Sequence, residues 1–192
     1  MVNAGAITLC SHLTGNTEDK IAWIEGWMEK LFNSNLYLNP KVLASERRTG
    51  DRNRSIAYLL KSNGMLRGEV DNTLEAYFSL CSFEASISQA SYLPMLLANS
   101  GKAPDGTVVF SEHTARYVMA IMATCGLYNE TGTYMVRCGL PGKSGVSGLI
   151  IAAAPRTAGI AVASPRVNNK GTSLRGTIML EHIAQRMDWH FV

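Results

Sequence analysis

Between Tyr128 and Gly148 the chain reads Y-N-E-T-G-T-Y-M-V-R-C-G-L-P-G-K-S-G-V-S-G. A lysine ammonium beside a small hydroxyl residue and a glycine can hold a substrate carboxylate or tune a neighbouring pKa. The glycines let the backbone approach a substrate, and a following backbone N–H, such as that of Val146, can stabilise an oxyanion. Tyr128 supplies a phenol able to relay a proton. The competing reading of Lys143 and Ser144 is a β-turn with a solvated lysine, and spacing alone leaves both open. Gly142-Lys143-Ser144 also has the last letters of a phosphate-binding loop. The glycine such a loop needs earlier is replaced here by Arg137. An apolar, strand-like run follows, so no helix N-terminus is offered to a phosphate.

A Lys-[Ser/Thr]-Gly triplet lines the acyl-transfer site of penicillin-recognising enzymes. That chemistry also needs a serine nucleophile and a lysine base, usually spaced Ser-x-x-Lys. No serine in this sequence has a lysine three positions on.

Other polar constellations are weaker. Glu46 and Asn53 fall in S-E-R-R-T-G-D-R-N-R, where a carboxylate and an amide could hold an amino group and a carboxylate. By spacing alone, a helix cap at Asp51 with surface polar neighbours explains them better. Asn3 in N-A-G-A reads as a turn asparagine, and Tyr77 as a core residue on an apolar helix face. Arg47, Arg48, Arg52 and Arg54 are interrupted by Glu46 and Asp51 and read as a solvated helix face. His12, His113, His182 and His190 are scattered, and Glu112-His113 and Glu181-His182 are adjacent pairs whose side chains diverge on a helix. No metal and no cofactor are expected.

The elements that must position these groups are mostly helices. Asn16 to Asp19 reads as a cap, followed by Ile21, Ile24, Trp27, Met28, Leu31 and Phe32 at helical spacing. Residues 33–40 read as a loop. Further helices are expected over Asp51–Ser62, through Val70, Leu74, Tyr77, Phe78 and Cys81, over Ser88–Asn99 with Pro94 kinking or starting it, and over Glu112–Cys125 before Gly126. Leu149–Ala154 and Gly159–Ala163 read as a hairpin. Asn168–Gly171 reads as a turn, Ser173–Met187 as a last helix with Ile178, Met179, Ile183 and Met187 on its apolar side, and Trp189–Val192 as an edge strand or docked end. No repeat or linker interrupts the chain, so residues 1–192 are expected to form one domain of α+β class. A lone hairpin is marginal in water, so strands of the sheet are expected to be missing, with exposed apolar patches and poor solubility as the consequence.

Composition closes off other classes. The 192 residues are 46% hydrophobic and 17% charged, against global disorder. A net charge of +3 without a Lys/Arg run carrying aromatics gives no nucleic-acid signature. No apolar run reaches transmembrane length, no charged leader opens the chain, and Cys10, Cys81, Cys125 and Cys138 read as buried reduced thiols. A cytoplasmic location is expected.

Taken together, N-A-G-A (from Asn3), S-E-x-x-T-G-D-R-N-R (from Ser45), Tyr77 with Cys81-Ser82, L-Y-N-E-T-G (from Leu127) and G-L-P-G-K-S-G-V-S-G (from Gly139) resemble the glutaminase family in order and spacing. Ser164–Gly171 is similar to that family's stretch before its last helix. The resemblance implies a β-lactamase/penicillin-binding-protein-like fold, with helices packed on an antiparallel sheet and the N-terminal part missing. It implies hydrolysis of L-glutamine to L-glutamate and ammonia through an acyl-serine, in a homo-oligomer. Asn3, Glu46, Asn53 and Tyr77 would then hold the amino-acid end of the substrate. Tyr128 would relay a proton beside the nucleophile, Val146 would offer its N–H to the oxyanion, and Lys143 and Ser144 would wall the pocket. Three departures stand out. Gly142 replaces the alanine of the usual P-A-K-S-G, Leu149 replaces a glycine, and the chain opens at N-A-G-A, downstream of the family's Ser-x-x-Lys helix. Met1 would then be an internal methionine or the chain a fragment, inactive alone. The alternative is a catalytically dead amino-acid-binding homologue, or a piece that completes its site with a partner chain.

Overall fold

The computed structural model describes residues 2–190, which form two compact units. Within the described residues the first holds 2–30 and 34–85, the second 31–33 and 86–190.

In the first unit α1 (Val2–His12), α3 (Pro40–Thr49) and α4 (Asp51–Ser62) pack around α5 (Val70–Leu80). Val70, Leu74, Ala76, Tyr77 and Phe78 of α5 are buried with Ile7, Leu43, Ile56 and Ala57. Removing a leucine such as Leu74 fully from water stabilises by about 1.5–3 kcal/mol, which is why α5 is the hub. The helix α2 (Thr17–Phe32) starts with the expected cap, as a reciprocal pair: Asp19 N–H donates to Asn16 Oδ1 and Asn16 N–H to Asp19 Oδ2, both at 2.9 Å. Of its expected apolar face only Ile24 is buried, and Lys20 is buried beside it, with Nζ 3.4 Å from the Cys10 carbonyl. Residues 33–40, expected as loop, contain β1 (Tyr37–Leu38), antiparallel to β2 (Phe83–Glu84). Asn39 then caps α3 by accepting from Lys41 N at 2.8 Å and Val42 N at 3.2 Å.

The second unit carries a three-stranded antiparallel sheet in the order β3 (Gly142–Ser144), β4 (Leu149–Ala154), β5 (Ala158–Ala163). The expected hairpin is present, in the register Ala154↔Ala158 to Leu149↔Ala163. Its run is apolar throughout because both faces of β4 are covered. Ile150, Ala152 and Ala154 join Leu127, Leu140, Leu180 and Ala184 on one face. Ala153, with Ile151 beside it, joins Leu97, Ala98, Ala115 and Met122 on the other. The alternation is the two-residue period of a strand.

Helix α6 (Ile87–Ala98) opens on a Ser86/Gln89 capping box and packs on β5. Pro94 neither starts nor ends it but sits inside it, buried, where β5 comes closest. A Cβ at Gly159 would lie 2.0 Å from Met95 N and 2.5 Å from the Pro94 carbonyl carbon, so only glycine fits. Helix α7 (Glu112–Cys125) ends at Gly126 as expected. A short 3₁₀ turn (Tyr128–Glu130) leads into α8 (Thr131–Cys138), which the sequence reading lacked.

The last helix, α9 (Leu174–Met187), corrects its expected orientation. Gly176, Leu180, Glu181 and Ala184 are buried, while Ile178, Met179 and Met187 are exposed. Spacing alone favoured the larger apolar side chains, but the small residues Gly176 and Ala184 allow close approach to the sheet. The cysteine reading is half corrected: Cys10 and Cys138 are buried, Cys81 and Cys125 exposed, because the last two sit at the ends of α5 and α7. Trp189 packs against the second unit's core. The rest of the expected terminal strand, Phe191 and Val192, lies outside the described residues, as does Met1. No described helix is long and apolar enough to cross a membrane.

Candidate active site

Four of the candidate residues lie in the first unit. Asn3, expected in a turn, is instead in the first turn of α1, and its Nδ2 donates to Asn53 Oδ1 on α4 at 2.8 Å. Glu46 and Asn53 are separated by the junction of α3 and α4 at Gly50. The helix cap is Gly50 and not Asp51, which makes no side-chain cap bond. A Cβ at Gly50 would lie 2.6 Å from both the Glu46 carbonyl oxygen and Phe78 Cζ. The T-G-D of the motif is thus a packing requirement: the helices break sharply against α5, which fixes where Glu46 and Asn53 stand.

The four arginines are shared between these two helices. Arg47 is held by Glu75, and Arg54 hydrogen-bonds the Arg47 carbonyl and lies over the Phe78 ring at 5.7 Å.

Tyr77 is 7% exposed. Its hydroxyl pKa is raised above the ordinary 10.0, first by desolvation, then by Cys81, with Glu46 and Cys10 adding to it. The phenol therefore stays a neutral hydrogen-bond donor. Cys81, one helical turn on, is exposed as a residue, yet desolvation raises its thiol too. An amide pair, a carboxylate and a neutral phenol suit the polar head of a zwitterion.

The other four lie in the second unit. Tyr128 has φ of +55°, the left-handed region that a bulky residue enters only at a cost of about 1–3 kcal/mol. Thr131 holds it there: its Oγ1 accepts from Leu127 N–H at 2.9 Å and donates to the Tyr128 carbonyl at 2.9 Å. The threonine three residues after the tyrosine was a readable signal that the sequence analysis did not use.

Lys143 is on β3, half-buried, which removes the solvated-turn reading. Its Nζ donates to Tyr128 Oη at 3.1 Å and sits 4.4 Å from the centre of that ring. It also donates to the Ser144 carbonyl. Ser144 is 2% exposed, with an Oγ that has no partner among the described residues.

The β3–β4 connection is tight. Gly145 N–H donates to the Leu149 carbonyl at 2.8 Å and Gly148 N–H to the Gly145 carbonyl at 3.0 Å. Val146 stands at its tip, 78% exposed, and its N–H has no backbone partner among the described residues. A charged donor on a phenol, next to a turn that presents a free N–H, is equipment for proton transfer and oxyanion stabilisation.

A family model described as Glutaminase matches residues 1–191. The chain belongs to the glutaminase family. It is 58% identical to a glutaminase of Legionella pneumophila (strain Philadelphia 1) over the whole chain and 62% of the relative's length. It is 40% identical to a glutaminase of Clostridium botulinum (strain Kyoto / Type A2) over 98% of the chain and 63% of that relative. The chain thus spans less than two thirds of the length of these relatives.

Among solved glutaminase structures, a probable glutaminase of Bacillus subtilis matches with a TM-score of 0.95 at 34% identity, over 100% of this chain and 65% of that one. A second structure, of a Bacillus subtilis glutaminase in covalent complex with 5-oxo-L-norleucine, matches with a TM-score of 0.95 at 35% identity, over 99% of this chain and 68% of that one. The fold is accordingly the β-lactamase-like α+β fold of the glutaminases.

Gly142, where the family resemblance leads to an alanine, meets a packing limit in this chain. At Gly142 a Cβ would lie 2.7 Å from Tyr134 Oη and 2.9 Å from two of its ring carbons, so the buried Tyr134 occupies the volume an alanine would need. Leu149, the other substitution, does not disturb β4: it pairs with Ala163 and is half-buried.

Proposed function

We propose that this chain is the substrate-binding part of a glutaminase, a serine-dependent amidohydrolase that converts L-glutamine to L-glutamate and ammonia through an acyl-enzyme. The observation that carries the reading is the Lys143–Tyr128 pair, held by a left-handed Tyr128 and followed by the exposed Val146 turn, in a chain of this family. Asn3, Glu46, Asn53 and Tyr77 are assigned to the amino-acid end of glutamine. Tyr128 is the proton relay, the Val146 N–H the oxyanion donor, and Lys143 and Ser144 the pocket wall.

The 192 residues are assigned to one glutaminase domain, cytoplasmic and part of a homo-oligomer. Because no Ser-x-x-Lys occurs in the sequence, the covalent route has no nucleophile among these residues, and binding groups alone rarely replace one. The same absence supports the second reading, an amino-acid-binding chain without turnover. Ammonia release from the purified chain is expected to stay at background, while calorimetric titration with L-glutamine gives a saturable heat that Asn53→Ala weakens. Turnover at enzyme-like rates would refute the missing-nucleophile reading. No binding at all would remove the substrate assignment.

A further inference from the structure

The second unit contains a cavity that Tyr128, Lys143, Ser144 and Val146 do not line. It lies between α8 and α9, is bordered by residues from 168 to 172, and has a volume of about 280 Å³. Four charged side chains face it, Glu130, Arg137, Lys170 and Glu181, and their charges cancel. Leu127, Leu174 and Ile178 supply an apolar wall.

Glu181 is 7% exposed. Its Oε2 accepts from Arg137 Nη2 at 2.8 Å, whereas Oε1 is buried with no partner among the described residues. A buried acceptor left without a donor costs about 1–3 kcal/mol, and more when charged. Tyr134 Oη and Thr172 Oγ1 of the same lining are also buried without a partner among the described residues, so the cavity carries unmet hydrogen-bonding capacity, with Glu181 Oε1 the charged acceptor among these atoms. Glu130 is already satisfied, since both its oxygens accept from Asn168 Nδ2 at 2.9 and 3.0 Å. Desolvation raises its pKa, but the hydrogen bonds from Asn168 and the charge of Lys170 outweigh that and hold it low. The space far exceeds the ~10–15 Å³ that a single water requires.

We propose that this cavity binds a free α-amino acid with an aliphatic side chain, its ammonium donating to Glu181 Oε1, its carboxylate taken by Lys170 and its side chain against Leu127, Leu174 and Ile178. A charge-balanced lining favours a charge-balanced ligand over a simple amine or a simple acid. The site also touches the oxyanion turn indirectly. A Cβ at Gly171 would lie 3.4 Å from Val146 Cγ1, so a ligand seated under residues 168–172 braces the loop behind Val146.

Calorimetric titration of the full chain with L-leucine tests the site, with N-acetyl-L-leucine (no ammonium) and isoamylamine (no carboxylate) as the other arms. L-leucine is expected to saturate, and both analogues to bind about tenfold more weakly or worse, each having lost one charged contact. Glu181→Gln should weaken L-leucine by a similar factor, whereas Arg137→Gln, which breaks the ion pair but keeps the acceptor, should not; thermal melts of both report whether they fold. Lys170→Ala, on an exposed loop, probes the carboxylate end without risk to the core. No saturable heat with L-leucine, equal affinity for the N-acetyl compound, or indifference to both Glu181→Gln and Lys170→Ala would overturn the proposal and leave the cavity to water. None of these outcomes depends on glutamine binding or on turnover.

Discussion

The two units hold their candidate residues by opposite means. In the first, Asn3, Glu46, Asn53 and Tyr77 stand on helices, and neutral groups and packing position them: an amide–amide bond at 2.8 Å, a glycine break at Gly50 and a desolvated phenol. In the second, Tyr128, Lys143, Ser144 and Val146 stand on a 3₁₀ turn, a short strand and a tight turn. There a left-handed tyrosine, a lysine on its ring and unpartnered polar atoms are retained. The helical unit holds its polar groups in fixed, satisfied positions. The strand unit keeps strain and unmet hydrogen-bonding capacity where charge would develop. Under the proposed assignment, the binding groups rest in a relaxed scaffold and the reacting groups stand away from their own minimum.

The contrast can be broken first at its glycines. Gly126→Ala places a Cβ 1.8 Å from the Gly142 carbonyl oxygen, backbone against backbone, and should cost about 3 kcal/mol or more. Urea unfolding followed by circular dichroism measures it, and a loss under about 1 kcal/mol would mean that β3 is not tightly seated on the end of α7. Gly50→Ala meets one backbone oxygen and one movable ring, so a loss of about 1–3 kcal/mol is expected, together with weaker L-glutamine binding in calorimetry. Unchanged binding would detach Glu46 and Asn53 from the break that positions them.

A smaller effect tests the amide pair. Asn3→Ala and Asn53→Ala should be coupled by about 1 kcal/mol in a double-mutant cycle of unfolding free energies, and additivity would show the bond to be incidental. Smallest is the acid limb of the second unit. Glu130 has a lowered pKa, so its contribution is fully present above the ordinary 4.5 and lost as pH falls through its lower folded value. Glu130→Gln should lower stability near neutrality and flatten the acid limb, the two proteins converging once pH has fallen below the folded value.

What the sequence disclosed follows the same division. The hairpin was legible because turn residues 155–158 separate two apolar runs, and α4, α7 and the start of α2 because caps or breakers mark them. The resemblance carried the β-lactamase-like fold, since spacing alone left Lys143 between a turn and a wall. Less was visible where small residues act through closeness. The face of α9 that meets the sheet is built on Gly176 and Ala184, and hydrophobic spacing pointed to Ile178 and Met179 instead. Helix α8 begins Thr-Gly-Thr, a poor helix-forming start, and is fixed by Thr131 bonding back to the tyrosine turn. Asn3 reads as a turn residue, and only packing of α1 on α4 and α5 makes it helical. The ends of α5 and α7 leave Cys81 and Cys125 exposed as residues despite their apolar neighbours, although the Cys81 thiol itself is desolvated.

The shared volume of Gly142 and Tyr134 restricts the order in which this lineage can change. An alanine at position 142 is barred while the Tyr134 ring stands 2.7–2.9 Å from where its Cβ would be, yet a smaller residue at 134 is accepted with glycine already in place, at the cost of a cavity. An alanine at 142 therefore requires a change at residue 134 as well, and Gly142→Ala alone should destabilise where the same change with Tyr134→Ala is tolerated.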